Sequence, residues 1–195
     1  MRRSKSILGA IVILLGIAAA RFYPDLKRGP SGSRREAAPV AVPGAAPFEG
    51  PYFSDRDRVA DRIIAAINHT QKTLHIAIYD LTHADITAAI ESAQRRGVEI
   101  RIVADQRQSN EPHSEISYLR SKGVAIRMSR GYKGNRSIMH NKFAVFDGRL
   151  AVTGSFNWTT SADNYNFENA VFISDPAGVA RFEEEFDLIW GQARE

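Results

Sequence analysis

The chain has 195 residues, of which 44% are hydrophobic and 25% are charged, so it is long enough for one folded domain and too short for two of ordinary size. The absence of cysteine excludes disulfide bonds, thiolate nucleophiles and cysteine-ligated zinc. A formal net charge of +4 favours an anionic partner such as nucleic acid or a membrane surface, but this charge is unevenly distributed along the sequence.

Residues 1–20 are typical of an export signal. Three basic residues precede an uninterrupted apolar stretch from Ile7 to Ala20, which ends in small residues suited to cleavage before Arg21. This stretch is shorter than the roughly 20 residues that span a bilayer, so a cleaved signal peptide is favoured over an N-terminal anchor. We therefore expect export to the bacterial periplasm or secretion, with membrane anchoring through residues 7–20 as the alternative.

Residues 21–50 contain five prolines and four glycines and show no helical or strand periodicity, which predicts a linker. A folded domain is then predicted to cover residues 51–195. That region contains 18 basic and 19 acidic residues, a formal net charge of −1. The basic character of the whole chain is therefore a poor argument for a nucleic-acid partner.

The predicted domain alternates strand and helix patterns. Ser54 is placed to cap a first helix whose apolar face includes Val59, Ile63, Ile64 and Ile67. The other predicted helices are 84–96, 114–121 and one that begins at Pro176, and the predicted strands are 73–79, 98–104, 124–128, 169–173 and two that flank Asp147–Gly148. This order predicts an α/β fold in which helices sandwich a mixed β-sheet.

The hairpin around Asp147–Gly148 gathers residues that carry chemistry. His140 and Lys142 are two residues apart, so in a strand their side chains share a face. If Asp147 and Gly148 are the two central turn residues, His140 lies opposite Ser155 and Lys142 opposite Thr153. A turn slipped by one residue on each side instead pairs His140 with Asn157 and Lys142 with Ser155.

Either register places an imidazole, an ammonium, a hydroxyl and an amide on one face. This set suits an anionic tetrahedral group, because Lys142 supplies charge, Ser155 and Asn157 donate hydrogen bonds and His140 can attack or transfer a proton. A metal site is disfavoured, since lysine is a poor ligand and no carboxylate–histidine cluster lies nearby. Each residue taken singly favours a structural role, and only their combination favours catalysis.

The spacing of these residues resembles the HxK(x4)D(x6)GSxN signature of the phospholipase D superfamily. It is matched here without a gap by His140, Lys142, Asp147, Gly154–Ser155 and Asn157. The surrounding segments look like the single-motif branch, which includes a bacterial periplasmic endonuclease and the mitochondrial cardiolipin hydrolase, and the likeness runs from about Phe53 to Trp190. The resemblance implies a phospholipase D-like fold with one HKD motif per chain.

The resemblance also implies a role for each matching residue. His140 corresponds to the nucleophile that forms a phosphohistidine, while Lys142, Ser155 and Asn157 match the phosphate-binding positions. Glu168 falls at the position of the carboxylate that orients the histidine, so that one ring nitrogen is free to attack. Asp147 belongs to the catalytic signature, and we expect it to support the loop more than the chemistry.

A complete site of this family needs two motifs, one histidine to attack and one to protonate the leaving oxygen. The chain contains one motif, because the remaining histidines, His69, His75, His83 and His113, have no lysine two residues later. The resemblance and the mechanism together predict a homodimer in which two copies of His140 face each other across a two-fold axis.

The predicted activity is that of a metal-independent phosphodiesterase without a cofactor, acting as a non-specific endonuclease on DNA or RNA. The alternative is a phospholipase D-type hydrolase of phospholipid headgroups such as cardiolipin, and a non-catalytic nucleic-acid-binding module is a third reading. Tyr132 and Trp158 are candidates to stack on bases, although such aromatics more often belong to the core. An acid-free run of basic residues leads into His140: Arg120, Lys122, Arg127, Arg130, Lys133, Arg136 and Lys142.

Overall fold

The computed structural model describes residues 48–133 and 136–194. The predicted signal peptide or anchor and the predicted linker up to residue 47 lie outside the described residues. The strands are β1 (Phe48–Phe53), β2 (Thr73–Ile78), β3 (Glu99–Asp105), β4 (Ala125–Ser129), β5 (Lys142–Phe146), β6 (Leu150–Gly154) and β7 (Asn169–Ile173). The helices are α1 (Ser54–Asp57), α2 (Val59–His69), α3 (Ala84–Arg95), α4 (Ile116–Ser121), α5 (Thr160–Asn164) and α6 (Pro176–Gln192), and a short 3-10 helix covers Gln108–Asn110.

The strands of the described part form one seven-stranded sheet in the order β1-β7-β6-β5-β2-β3-β4. β2, β3 and β4 are parallel, since α3 and α4 return the chain to the same edge before each new strand. The other neighbouring strands are antiparallel. This arrangement confirms the predicted mixed sheet.

Helices cover both faces of the sheet, as predicted. On one face, Ile63 of α2 and Ile90 of α3 pack in a core with Leu74 of β2. On the other face, Phe186 of α6 packs in a second core that includes Ala77 of β2. Successive side chains of a strand point to opposite faces, which is why one strand contributes to both cores. Because helices cover both faces, the open positions for a binding site are at the ends of the strands.

The N-terminal boundary differs from the prediction. β1 begins at Phe48, so the folded region starts before Pro51. Ser54 is the first residue of α1 and does not cap α2; its hydroxyl donates to the carbonyl of Asn166 (2.6 Å) and accepts from the N–H of Glu168 (2.9 Å). Arg58, which has a left-handed backbone conformation (φ 52°), separates α1 from α2. Ser54 therefore joins the beginning of α1 to the loop before β7 through hydrogen bonds.

The hairpin turn forms at the predicted residues, but its register is different. Asp147 and Gly148 both have positive φ values (53° and 61°), and the N–H of Arg149 donates to the carbonyl of Phe146 at 3.0 Å. The ladder nevertheless resumes with Phe146 opposite Leu150. Arg149 is one extra residue in the second strand, and it shifts every later pair by one position. Both registers predicted from the sequence are therefore wrong.

Asp147 itself joins the turn to the start of β2. Its carboxylate accepts hydrogen bonds from the backbone N–H groups of Gln71 (2.9 Å), Lys72 (2.6 Å) and Thr73 (3.0 Å). The same residue lies at the end of β5 away from Lys142. The structure therefore does not bring Asp147 together with the other residues of the signature.

We expect Asp147→Ala to lower the free energy of unfolding by about 2 kcal/mol, because three backbone donors lose a charged acceptor and alanine disfavours the left-handed backbone. Urea denaturation measures this loss. Asp187→Ala, which removes an exposed carboxylate from α6, is the matched control and should change stability by less than about 0.5 kcal/mol. An equally small effect at Asp147 would contradict the anchoring role.

Candidate active site

The candidate site lies at the edge of the sheet where β2 and β3 end and β5 begins. β5 runs antiparallel to β2, and its first residue, Lys142, pairs with Ile78 at the end of β2. His140 lies in the loop before β5, and Ser155 follows the last residue of β6. These residues converge because strand ends meet at one edge, and not, as predicted, because they share one face of a hairpin.

His140 and Lys142 are in direct contact. Lys142 Nζ lies 3.3 Å from His140 Nε2 and donates to the backbone carbonyl of His140 at 3.0 Å. The ring of Tyr79 packs edge-on against the imidazole, with a centroid distance of 4.5 Å, and also lies 5.0 Å from Lys142 Nζ. The exposed imidazole and the half-buried ammonium are thus held side by side, so that one anion can contact both.

The electrostatic environment favours the neutral form of His140. Partial burial lowers the pKa of its imidazole, and the Lys142 ammonium lowers it further, against the opposing charge of Asp105. Partial burial also lowers the pKa of Lys142, while Glu168 and Asp80 act in the opposite direction. A neutral imidazole retains the lone pair that a nucleophile needs.

Ser155 and Glu168 are joined across β6 and β7. The Ser155 hydroxyl donates to Glu168 Oε2 at 2.5 Å and accepts from the N–H of Asn169 at 3.1 Å. The other oxygen of Glu168 accepts from Asn166 Nδ2 at 3.3 Å. The expected contact between Glu168 and His140 is replaced, among the described residues, by these two hydrogen bonds, because the pairing of β7 with β6 sets Glu168 beside the serine.

The remaining residues of the GSxN segment have different roles. A Cβ atom on Gly154 would lie 2.1 Å from the carbonyl oxygen of Asn169, so only glycine allows β7 to approach so closely. Asn157 is half-buried, and its Oδ1 has no hydrogen-bond partner in the described part of the chain. Gly154 thus lets β7, which begins directly after Glu168, approach β6 closely, and the Asn157 Oδ1 makes no hydrogen bond within the described part of the fold.

Asp105 lies outside the signature, yet it organises the site. This carboxylate is 1% exposed; Oδ2 accepts from the N–H of Met139 (3.0 Å), and Oδ1 accepts from the N–H groups of Arg107 (2.9 Å) and Gln108 (3.1 Å). The Gln108 side chain then donates to the hydroxyl of Tyr79 at 2.9 Å. The sequence offered a signal for this role, since Asp105 is an acidic residue directly after the predicted apolar strand 98–104.

The aromatic candidates separate into core and surface. Trp158 is 1% exposed and belongs to the core, so it is not available to stack on a base. Tyr132 is 84% exposed. Two exposed aromatic side chains that the sequence did not single out, Tyr165 and Phe167, flank Asn166 in the loop before β7.

The run of basic residues does not form one strip beside His140. Arg127 lies over the ring of Trp190 at 4.5 Å and donates to its carbonyl, so it packs against α6. Arg120 donates to the carbonyl of Ile126. Arg130 instead reaches the loop after β3, because β3 and β4 are neighbours and end at the same edge.

The described residues contain no group of three or more histidine, aspartate or glutamate side chains placed to hold a metal ion. No helix within residues 48–133 and 136–194 is both long and apolar enough to cross a bilayer. The groups that do converge are an imidazole, an ammonium, a hydroxyl and a carboxylate. Such a set can bind a tetrahedral anion and attack it with nitrogen.

Comparison with known proteins agrees with this chemistry. The family model described as "Cardiolipin synthase, PLD-like domain" matches residues 63–190. The mitochondrial cardiolipin hydrolase of Chlamydomonas reinhardtii is 32% identical over 175 residues, a match that covers 90% of this chain and 74% of that protein.

Two solved structures share the fold along nearly their whole length. The phospholipase D family member Nuc from Salmonella typhimurium is 29% identical with a TM-score of 0.65, and the match covers 74% of this chain and 97% of Nuc. NucT from Helicobacter pylori is 26% identical with a TM-score of 0.70, and the match covers 75% of this chain and 98% of NucT. With its mixed sheet, its His140–Lys142 pair at one edge of that sheet and these relatives, the chain belongs to the phospholipase D superfamily of phosphodiesterases.

Proposed function

We propose that the protein is a metal-independent phosphodiesterase that cleaves DNA or RNA internally, with His140 as the nucleophile. The observation that carries the proposal is the contact between the His140 imidazole and the Lys142 ammonium, whose nitrogens lie 3.3 Å apart where β5 begins. A phosphate oxygen bound to Lys142 lies next to the nitrogen that attacks phosphorus. The lowered pKa of His140 supports the same role, because it favours the neutral imidazole.

The proposed reaction has two displacements. A ring nitrogen of His140 forms a bond to phosphorus, the bond from phosphorus to the leaving oxygen breaks, and that oxygen takes a proton from a second histidine. A water molecule then attacks phosphorus and gives one proton to the second histidine. The phosphorus–nitrogen bond breaks, and His140 leaves as the neutral imidazole. Lys142, Ser155 and Asn157 hold the non-bridging oxygens, and Ser155 does so once its hydroxyl turns from Glu168 to the phosphate.

The second histidine is proposed to be His140 of another copy of the chain. Each chain has one HKD motif, and a two-fold axis beside the exposed His140 would bring two imidazoles to opposite sides of one phosphate. The proposed active species is therefore a homodimer with a shared site.

Nucleic acid is the proposed substrate for two reasons. The motif and its surroundings resemble the branch that includes a periplasmic endonuclease, and two arginines, Arg107 and Arg130, line an open cavity near the site. The proposed location is the periplasm or the exterior, where residues 1–20 would direct the chain.

A phospholipid substrate is the second candidate. It is favoured by the 32% identity to a protein named mitochondrial cardiolipin hydrolase. An uncleaved N-terminal segment, anchored through residues 7–20, would place the site at a membrane surface and favour this candidate further.

We expect the protein to cleave plasmid DNA at an unchanged rate in excess EDTA, because nitrogen and not a metal-bound water attacks phosphorus. Agarose electrophoresis with and without EDTA measures this, and a magnesium-dependent nuclease treated in parallel confirms that chelation is complete. Loss of cleavage in EDTA would contradict the metal-independent mechanism.

The same preparation should be incubated with vesicles of cardiolipin or phosphatidylcholine. Release of phospholipid products while plasmid and single-stranded RNA stay intact would move the assignment to the lipid hydrolase. Tight binding of nucleic acid without turnover of any diester would favour the non-catalytic binding module.

A further inference from the structure

A cavity of about 330 Å³ lies next to the candidate site, lined by Gln106, Arg107, Asn110 and Arg130. Three of these side chains are exposed, and Gln106 is half-buried. The set consists of two guanidinium groups and two amides, so the lining side chains carry positive charge and no carboxylate. Guanidinium groups bind phosphate through paired hydrogen bonds, and amides can donate to the same oxygens.

The cavity is held in its shape by contacts between its own lining residues. Arg130 donates through Nε to the Gln106 side-chain oxygen. Asn110 donates through Nδ2 to the Gln106 carbonyl at 2.8 Å. The backbone N–H of Gln106 donates to the carbonyl of Ser129 at 2.9 Å, which joins the ends of β3 and β4. These contacts fix Arg130 beside Gln106, the residue before Arg107, where β3 and β4 end next to each other.

One carboxylate connects this cavity to the nucleophile. Asp105 binds the N–H of Arg107 with one oxygen and the N–H of Met139, the residue before His140, with the other. The Asp105 carboxylate therefore links the backbone of Arg107 directly to the backbone of Met139. A second connection runs from Gln108 to the Tyr79 ring that packs on the imidazole. The segment that carries Arg107 and the loop that carries His140 are thus linked both through Asp105 and through Tyr79.

We infer that this cavity binds a second phosphate of the substrate, namely the phosphate next to the scissile one in a polynucleotide. The inference rests on the proposed nuclease function and adds a substrate requirement to it. A polynucleotide presents a regular row of phosphates, so a chain whose scissile phosphate lies at Lys142 has a neighbouring phosphate available for Arg107 and Arg130. A substrate with a single phosphodiester cannot use the cavity.

The test compares a dinucleotide, which has one phosphodiester, with a trinucleotide, which has two. For the native protein, kcat/KM should be about 10-fold to 100-fold higher for the trinucleotide, as expected for charge-assisted hydrogen bonds to one additional phosphate. In the double variant Arg107→Gln, Arg130→Gln, this ratio should fall to about 1–3, with the change mainly in KM. Arg107→Lys, Arg130→Lys should retain part of the preference because it keeps the charge.

Binding gives a second readout that does not depend on turnover. For single-stranded oligonucleotides, the slope of log K against log[salt] should become shallower by about 0.7 in the double glutamine variant, because that variant no longer neutralises the second phosphate. Arg181→Gln is the matched control, since Arg181 is exposed on α6 and its side chain pairs with Glu184. That control should leave both the ratio and the slope unchanged.

Four results would overturn the inference. A native ratio near one, or an equal loss for both oligonucleotides in the double variant, would show that the cavity does not read a second phosphate. A loss confined to cardiolipin, which has two phosphates, relative to phosphatidylcholine, which has one, would assign the cavity to a lipid. If the native protein cleaves neither oligonucleotide but does cleave a phospholipid, the nuclease function fails as well, and this outcome is distinct from the first two.

Discussion

Replacement of His140 by alanine is expected to lower the rate of phosphodiester hydrolysis by at least about 10⁴-fold, because it removes the nitrogen that forms the bond to phosphorus. Substrate affinity should change much less, since Lys142 and the other phosphate-binding groups remain. Turnover of a labelled oligonucleotide and its binding by fluorescence anisotropy separate the two effects. A loss of affinity as large as the loss of turnover would contradict a nucleophilic role and favour binding alone.

The matched control is His69→Ala, which makes the same chemical change at the exposed last residue of α2, close to the Asp147 turn at the end of β5 away from Lys142, and should leave the rate within about 2-fold. Mixing tests the shared site. Native and His140→Ala chains are denatured together in equal amounts and refolded, and the activity is compared with that of the same total amount of native chain. About one quarter of that activity should remain if each site needs two copies of His140. A remaining activity of about one half would contradict the shared site.

Lys142→Gln is expected to reduce kcat/KM by about 10²-fold to 10³-fold, because the ammonium stabilises negative charge on phosphorus-bound oxygens in the transition state. It should also change the pH profile. The Lys142 charge lowers the pKa of His140, so its removal raises that pKa. His140 then becomes protonated, and loses its nucleophilic form, at a higher pH. The acid limb of kcat/KM should therefore move to higher pH.

Two variants control for this prediction. Lys142→Arg keeps a positive charge beside the imidazole, so its acid limb should stay close to the native position. Lys122→Gln removes an exposed ammonium that lies 5.1 Å from the ring of Tyr118, and it should affect neither the rate nor the profile. An acid limb that stays in place or moves to lower pH in Lys142→Gln would contradict the proposed coupling.

Most of the fold is readable from local patterns. The apolar spacing of α2, α3 and α6 matches the faces that they bury, and the helix predicted to begin at Pro176 does so, with Asp175 accepting from the N–H of Gly178. The helix at Thr160–Asn164 was not predicted, although the side chain of Thr159 caps it. Short elements of this kind have too few residues to show a period, so they depend on their caps and their surroundings.

The hairpin shows the limit of local reasoning. Asp147 and Gly148 predict the turn because they tolerate positive φ, and the turn is found there. The register depends on one further residue, Arg149, which is left out of the ladder. Whether a chain inserts such a residue is decided by how both strands pack on their neighbours, and adjacent sequence does not report this packing.

The spacing of His140, Lys142, Ser155 and Asn157 was sufficient to predict, from the sequence alone, a phosphate-binding site with a nitrogen nucleophile. The tertiary structure decided how these residues meet. His140, Lys142 and Ser155 converge at strand ends, Glu168 binds Ser155, and Asp105 joins the loop of His140 to an arginine-lined cavity. Types and spacings of side chains are local properties, whereas contacts between residues such as Asp105 and Met139 exist only after the sheet has brought distant segments to one edge.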